Sequence, residues 1–278
     1  MISPRRLRPL LLVLALATGS SGGCRQSAGE AANREPAPSP VLPKPVVHTE
    51  TLGRSVEGRP ILLHRFGEGE VGTLVLAGIH GDEPTGVTLA VRLIDLLGRG
   101  EVSGVDGAVA VLPVANPDGA AAGTRTNARR VDVNRNFHAK NWGASRKGVY
   151  HGGTAALSEP ETVAIHKAVA SLKPRRIVSI HSISRGRQCN NYDGPGEALA
   201  RRMAAHNGYP VRPTIGYPTP GSFGSWAGID LRIPVITLEL PRDLPGDAAW
   251  EGNRAALLEA LREPREEMSN APPMTNDQ

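Results

Sequence analysis

The segment TLVLAGIHGDEPTG, residues 73–86, joins an apolar run to a polar turn. Its first part, Thr73 to Ile79, has the continuous apolar character of a strand buried on both faces of a sheet. His80 follows directly, and Glu83 lies three residues further on. An imidazole, a carboxylate and a third ligand can hold a metal ion that keeps one position open for water. Alone, the pair is weak evidence, because His-x-x-Glu often occurs by chance.

Four further apolar runs, and the helical patterns between them, indicate the fold class. The runs cover residues 61–66, 108–114, 176–181 and 235–240. Helices are predicted over residues 84–97, 196–207 and 247–261, and after Ser158-Glu159-Pro160-Glu161, which has the form of a capping box. Strands that alternate with helices predict a single α/β domain with a mixed, largely parallel β-sheet and helices on both faces.

Ligands of such sheets gather beyond the carboxyl ends of the strands. His80 follows one predicted strand, His181 ends a second, and Glu239 lies near the end of a third. We therefore expect the three side chains to meet at one edge of the sheet. His181 is the best third ligand among the remaining histidines, although a core histidine bonded to the backbone is the competing interpretation when it is taken alone.

Three polar motifs follow the predicted strand at residues 108–114. They are NPDG at residues 116–119, an arginine at Arg125, and VDVNRNF at residues 131–137. The adjacent Asn and Arg of the last motif offer an amide and a planar guanidinium, which can grip a carboxylate bidentately. Together with His-x-x-Glu, the later strand-end His and the final strand-borne Glu, this order of motifs resembles the zinc carboxypeptidases of the carboxypeptidase A type.

The resemblance extends from about residue 53 to 261 and implies a complete zinc site. One Zn²⁺ per chain would be bound by His80, Glu83 and His181. Glu239 would act as the general base, and Arg125 would polarise the scissile carbonyl group.

The same resemblance implies a substrate-binding set. Asn134 and Arg135 would hold the terminal carboxylate of the substrate, and Tyr217 would be the mobile tyrosine that closes over it. A loop aromatic with no such role is the competing interpretation for Tyr217, because prolines flank it.

Some residues depart from the family pattern. Arg130 stands where short bacterial members have Gly, which is expected to crowd or recharge the carboxylate pocket. Arg129 and Arg130 also compete with Arg125 as the polarising arginine. Gly224 falls where digestive carboxypeptidases place the side chain that selects the C-terminal residue, so this kind of selection is not expected.

A narrower resemblance, to the murein peptide amidases, rests on IGYPTPGSFGSWAG at residues 215–228, VITLELP at 235–241 and the SEPET segment. It implies hydrolysis of the γ-D-glutamyl–meso-diaminopimelate bond in small peptides from bacterial cell wall. The alternatives are a general metallocarboxypeptidase, an aspartoacylase-like amidoacyl hydrolase with the same metal set, and a non-catalytic wall-peptide-binding lipoprotein.

The N-terminus predicts export. Arginines precede an apolar run, Leu10 to Ala17, that is too short to span a bilayer, so residues 1–23 are predicted to be a signal peptide. Cys24 resembles the lipidated residue of a lipoprotein, although Ser21 departs from that motif. We expect a periplasmic protein or a membrane-anchored lipoprotein of a bacterium, whose one membrane contact would be a lipid at Cys24.

Composition predicts the remaining organisation. Gln26 to Pro45 is rich in Ala, Pro, Glu and Ser with almost no large apolar residue, and the tail after Leu261 has a similar character. Residues 24–48 and 263–278 are therefore predicted to be a disordered tether and tail around a catalytic domain at residues 49–262. The two cysteines give no disulfide framework if Cys24 is lipidated or removed. The net charge of +5 is spread over the whole chain, so no nucleic-acid partner is expected.

Overall fold

The computed structural model describes residues 47–263, and their strands form one eight-stranded sheet. The strands are β1 (Val47–Arg54), β2 (Pro60–Phe66), β3 (Val71–Ala77), β4 (Ala108–Leu112), β5 (Arg176–Ile183), β6 (Cys189–Asp193), β7 (Val211–Arg212) and β8 (Val235–Pro241). Their order is β1-β2-β4-β3-β5-β8-β6-β7. The central strands β4, β3, β5 and β8 are parallel, whereas β1, β2 and β6 make antiparallel pairs. The predicted mixed, largely parallel sheet is confirmed.

Helices cover both faces of the sheet, as predicted. They are α1 (Pro84–Gly98), α2 (Pro117–Ala122), α3 (Pro160–Leu172), α4 (Glu197–Asn207) and α5 (Gly246–Ala260), with a 3₁₀ turn at Val133–Arg135 and a π-helix at Gly224–Asp230. One core cluster includes α1, α4 and α5, and contains Leu93, Met203 and Leu257. The opposite cluster includes α3 and the π-helix, and contains Ile165 and Trp226.

The structure corrects several predicted elements. Strands β1, β6 and β7 were not predicted, because β1 is a largely exposed edge strand and β6 has the polar sequence CNNYD. The predicted strand 73–79 ends at Ala77, since Gly78 adopts a left-handed turn with φ of 64°. The predicted strand 108–114 likewise ends at Leu112.

The capping box predicted before α3 was wrong. Glu159 is the N-cap residue and its side chain makes no capping bond. The Ser158 hydroxyl instead donates to Glu159 Oε1 at 2.8 Å, and the Glu161 carboxylate accepts from the Val56 N–H and the Asn127 amide. These polar groups tie α3 to two distant loops.

The signal peptide, Cys24, most of the tether and the C-terminal tail from residue 264 lie outside the described residues. Strand β1 begins at Val47, two residues inside the range predicted as tether. Within residues 47–263, no helix is both long and apolar enough to cross a bilayer.

Candidate active site

Three strand ends bring the predicted metal ligands together. His80 lies in the turn after β3, and Glu83 is the N-cap residue of α1. His181 lies in β5, directly opposite Glu239 of β8 in the parallel pairing. All four side chains are buried, so the sheet places the predicted ligands and the predicted base at one edge.

The metal-ligand atoms face one another closely. Nδ1 of His80 lies 2.9 Å from Glu83 Oε1, and Nδ1 of His181 lies 3.1 Å from Glu83 Oε2. The two Nδ1 atoms are 3.2 Å apart. The Ser182 N–H donates to Glu83 Oε2 at 3.0 Å and so fixes the carboxylate. Two imidazole nitrogens and one carboxylate oxygen match the donor set of a catalytic zinc site.

Asp132, which the sequence analysis did not single out, supports this cluster. Its Oδ1 lies 3.3 Å from His80 Nε2, on the side of the ring away from the other ligands. A proton on Nε2 that faces this carboxylate leaves the Nδ1 lone pair free for a metal. Asp132 also accepts hydrogen bonds from the Asn134 N–H at 2.9 Å and from Arg125 Nε at 3.0 Å.

Charge and burial shift the pKa values of these groups. Burial favours the neutral His80 ring, but the carboxylates of Glu83 and Asp132 outweigh it and raise the His80 pKa to about 9. Burial also opposes charge on Asp132, yet His80 and Arg125 hold its pKa well below the usual range. Without a metal, His80 is therefore the protonated member of the cluster.

Glu239 has the environment expected of a general base. Burial first, and then the nearby Glu83 carboxylate, raise its pKa to about 7. Its neighbour across the antiparallel pair is Cys189, which is buried and makes no disulfide within the described residues. Burial raises the pKa of this thiol to about 11, so Cys189 stays protonated near neutral pH.

Of the three candidate arginines, only Arg125 lines the same cleft as the metal ligands. The Asp132 carboxylate binds Nε and Nη2 of Arg125, while Nη1 of Arg125 lies 3.9 Å from Glu83 Oε1. Arg129 instead contacts Glu159 at 3.6 Å. Arg130 is exposed, has a φ of 61° and lines a separate cavity. It does not line the cleft of the metal ligands, so the expected crowding of the carboxylate pocket does not occur. Glycine adopts this backbone conformation without strain.

The predicted carboxylate-binding residues lie in the same cleft, which encloses about 280 Å³. Asn134 Oδ1 accepts from the Phe223 N–H at 2.8 Å, an arrangement that leaves the amide NH₂ available to a ligand. Arg135 is buried, and its Nη1 donates to the Asn134 carbonyl at 2.6 Å. The Tyr150 ring, another contributor missed in the sequence, lies 5.7 Å from the Arg135 guanidinium carbon and 5.1 Å from that of Arg125.

The rim of the cleft contains the aromatic side chain of Tyr217 and the charged side chain of Arg187. Tyr217 lines it and is 42% exposed, and burial followed by the Glu239 charge raises its phenol pKa. Arg187 also lines the cleft and donates to the Ile215 carbonyl at 2.8 Å, whereas Arg185 pairs with Asp243 outside it.

The Asp82 carboxylate, two residues after His80, accepts from Arg242 at 3.1 Å. The same guanidinium contacts Glu83 Oε1 at 3.4 Å and the Ser182 carbonyl at 3.3 Å. Arg242 thus links the metal-ligand turn to the end of β8.

A family model described as zinc carboxypeptidase matches residues 43–244. The chain belongs to the zinc carboxypeptidase family. It is therefore a hydrolytic enzyme, and His80, Glu83 and His181 form a cluster able to bind the zinc that this family uses. The family resemblance of the sequence motifs is confirmed.

Individual members of the family give a narrower match. The chain is 36% identical to murein peptide amidase A of Escherichia coli K12 over 232 residues, which cover 77% of this chain and 89% of the relative. Identity to murein peptide amidase A of Vibrio campbellii is 32% over 229 residues, covering 76% and 86% of the two chains.

Solved structures agree with this match. The murein-tripeptide amidase of Escherichia coli O157 superposes with a TM-score of 0.65 at 32% identity and covers 78% of this chain and 93% of its own. A carboxypeptidase A from Helicoverpa armigera has a TM-score of 0.64 at 23% identity, covering 80% and 70%, and supports the fold alone.

Proposed function

We propose that this zinc hydrolase cleaves the amide bond next to a terminal, carboxylate-bearing residue of murein peptides, and specifically the γ-D-glutamyl–meso-diaminopimelate bond. The observation that carries the proposal is that one cleft contains the three metal ligands, Glu239 and the Asn134–Arg135 pair. The similarity to murein peptide amidases over most of both chains supports the choice of substrate.

Zinc, when bound by His80, Glu83 and His181, lowers the pKa of a water molecule to roughly 7 and polarises a carbonyl group. Glu239 takes a proton from the attacking water as it adds to the amide carbon. The same carboxyl group then delivers that proton to the nitrogen of the leaving residue. A pKa raised toward neutrality suits both steps, because the group must accept and release a proton at the same pH.

Arg125 stabilises the negative charge that develops on the carbonyl oxygen. Asp132 holds Nε and Nη2 of its guanidinium, and this anchoring leaves Nη1 directed toward the metal-ligand end of the cleft. A pre-positioned donor of this kind contributes about 3 kcal/mol of transition-state stabilisation.

Asn134 and Arg135 bind the terminal carboxylate of the leaving residue. The bond from Phe223 fixes the Asn134 amide, and the Arg135 guanidinium is buried beside it, so a carboxylate meets an oriented donor set. Tyr217 covers the bound residue from the rim. This clamp restricts cleavage to the last residue of a peptide.

We also propose that the enzyme is exported and acts on wall peptides outside the cytoplasm, either free in the periplasm or held by a lipid at Cys24. The arginine-rich start, the short apolar run and the position of Cys24 support this location. A non-catalytic wall-peptide binder is disfavoured, because it has no need for a buried carboxyl group facing a complete ligand set.

The test uses the purified chain without its first 27 residues and L-Ala-γ-D-Glu-meso-diaminopimelate. The expected result is release of free diaminopimelate, detected by mass, that a chelator abolishes and added zinc restores. A zinc-loaded enzyme that leaves this tripeptide intact but cleaves ordinary C-terminal residues would instead be a general metallocarboxypeptidase.

A further inference from the structure

The cavity that Arg130 lines, here called the second cavity, is adjacent to the catalytic cleft. It encloses about 1090 Å³, and Arg125 lines both spaces. The Asn134–Arg135 pair lines the cleft but not the second cavity. With the last residue of a substrate at that pair and its scissile carbonyl at Arg125, the acyl portion of the substrate extends beyond Arg125 toward the second cavity.

Positive charge predominates in the lining of the second cavity. Its two carboxylates, Asp82 and Glu159, already accept hydrogen bonds from the protein, at 3.1 and 2.8 Å. Its basic side chains are those of Arg125, Arg129, Arg130 and Lys147. The first two make ion pairs with Asp132 and Glu159, whereas Arg130 and Lys147 make none within the described part of the chain. Two cations are therefore available to a ligand.

The backbone at Arg130 indicates that its side chain has a role. Its φ of 61° costs free energy for any residue with a Cβ atom, and glycine would avoid this cost. Buried Asn127 fixes the turn, since its Oδ1 accepts from the N–H groups of Arg129 and Val131 at 3.0 Å, and its carbonyl accepts from the Arg130 N–H at 2.9 Å. A strained arginine in a fixed turn is a pre-positioned donor.

Lys147 reaches the second cavity from another segment, the loop before α3. Val149 of this loop also lines the cavity and is 60% exposed, which provides an apolar contact beside the charge. The next residue, Tyr150, has its ring 5.1 Å from the guanidinium carbon of Arg125, where the cavity and the cleft meet. The lining thus suits a ligand that carries an anionic group on a short aliphatic chain.

We propose that Arg130 and Lys147 bind a free carboxylate on the acyl portion of the substrate, an inference that rests on the proposed exopeptidase function. In the proposed substrate this group is the α-carboxylate of the D-glutamyl residue, which is free because the peptide bond is made through the γ-carbonyl group. A guanidinium and an ammonium group both form charge-assisted hydrogen bonds with a carboxylate. The site therefore favours an acidic acyl portion over a neutral one of the same shape.

The test compares two peptides that differ only in this charge. They are L-Ala-γ-D-Glu-meso-diaminopimelate and the same peptide with the glutamyl α-carboxylate amidated. We expect the wild-type kcat/KM to be about tenfold or more higher for the acid, because hydrogen bonds to a charged group are lost in the amide. In Arg130→Gly and in Lys147→Gln the acid-to-amide ratio should fall about threefold or more, since each exposed cation contributes part of the preference. Using a ratio removes any difference in the folded fraction.

Two substitutions provide matched controls. Arg232→Gly replaces another exposed arginine with the same φ of 61°, which lines neither the cleft nor the second cavity. Lys173→Gln replaces an exposed lysine at the end of α3. Both variants should keep the wild-type ratio.

A wild-type ratio near one overturns the inference even if the peptide is cleaved. An unchanged ratio in Arg130→Gly or in Lys147→Gln overturns it as well. If neither peptide is cleaved, the proposed substrate fails separately, and calorimetric affinities of the two peptides for the zinc-loaded protein replace the kinetic ratio. A preference for the acid that falls in both variants then supports the cation pair, and equal affinities overturn it.

Discussion

Asp132 Oδ1 lies 3.3 Å from His80 Nε2, so a carboxylate from the VDVNRNF segment faces the back of a metal-binding ring. Through Arg125 and the Asn134 N–H, the same carboxylate also contacts the proposed oxyanion-stabilising and carboxylate-binding residues. One buried aspartate therefore connects the three functional parts of the cleft. The first two predictions follow from this arrangement.

Replacing Asp132 with Asn should weaken zinc binding by about 10- to 100-fold, as for other residues that orient a metal-binding histidine. The measurement is competition with a chromophoric chelator. Asp118→Asn is the control, since Asp118 is buried but bonds Ser55 and Arg59 rather than a metal ligand. A zinc dissociation constant in Asp132→Asn within about twofold of the Asp118→Asn value contradicts this role.

Zinc affinity should rise with pH below about 9. The His80 pKa is raised to about 9, so the ring is protonated near neutral pH and zinc must displace that proton. The apparent association constant is then expected to increase about tenfold between pH 7.5 and 8.5. Calorimetry at the two pH values tests this, and an affinity that does not change with pH contradicts it.

Glu239→Gln should lower kcat by about 100- to 10,000-fold while one zinc per chain is retained, because the amide cannot take the proton of water. Metal analysis and single-turnover kinetics provide the measurement, with surface Glu197→Gln as the control. In the wild type, kcat/KM should decline as pH falls through the Glu239 pKa, because only the deprotonated carboxylate acts as a base. Substantial activity in a zinc-loaded Glu239→Gln enzyme would assign the base to another group.

Arg135→Lys should lower kcat/KM by about 10- to 100-fold, since a lysine cannot reproduce the bidentate guanidinium contact with a carboxylate. The loss should disappear for a substrate whose terminal carboxylate is amidated, which the wild type itself should cleave poorly. Arg201→Lys, on the exposed side of α4, is the control. Equal losses for the acid and the amide substrates would show that Arg135 does not bind the carboxylate.

Gly81→Ala should destabilise the protein by about 2 kcal/mol or more, because its Cβ would lie 1.9 Å from the Gly119 carbonyl carbon. The HGDE and NPDG turns are packed backbone to backbone at this point, so zinc binding should weaken as well. Thermal unfolding gives the measurement. Gly143→Ala, where no atom lies within 4 Å of the new Cβ, should stay within about 0.5 kcal/mol of the wild type.

The sequence identified the parts of the fold that have continuous apolar patterns. Strands β3, β5 and β8 are rich in apolar residues and buried over almost their whole length, and the ligand positions lie at or near the ends of those runs. Strand β6 could not be found in this way. Its sequence CNNYD has no apolar run, because Asn191 and Asp193 face the cleft and Asn190 bonds to Asn207 of α4.

Long-range contacts were the other part that the sequence did not reveal. No local spacing links Asp132 to His80, because the fold alone brings their loops together. The packing of Gly224 against the Asp193 carboxylate of β6 is a second such contact, since no local spacing links these two residues. The metal ligands were found because their residue types and order are constrained by the chemistry.

The most direct test of the account is a zinc titration of the metal-free protein in the presence of L-Ala-γ-D-Glu-meso-diaminopimelate. The rate of diaminopimelate release should rise linearly with added zinc and reach its plateau at about one equivalent per chain, as expected for a single His₂Glu site. A protein that binds one equivalent of zinc and releases no diaminopimelate would contradict the central claim.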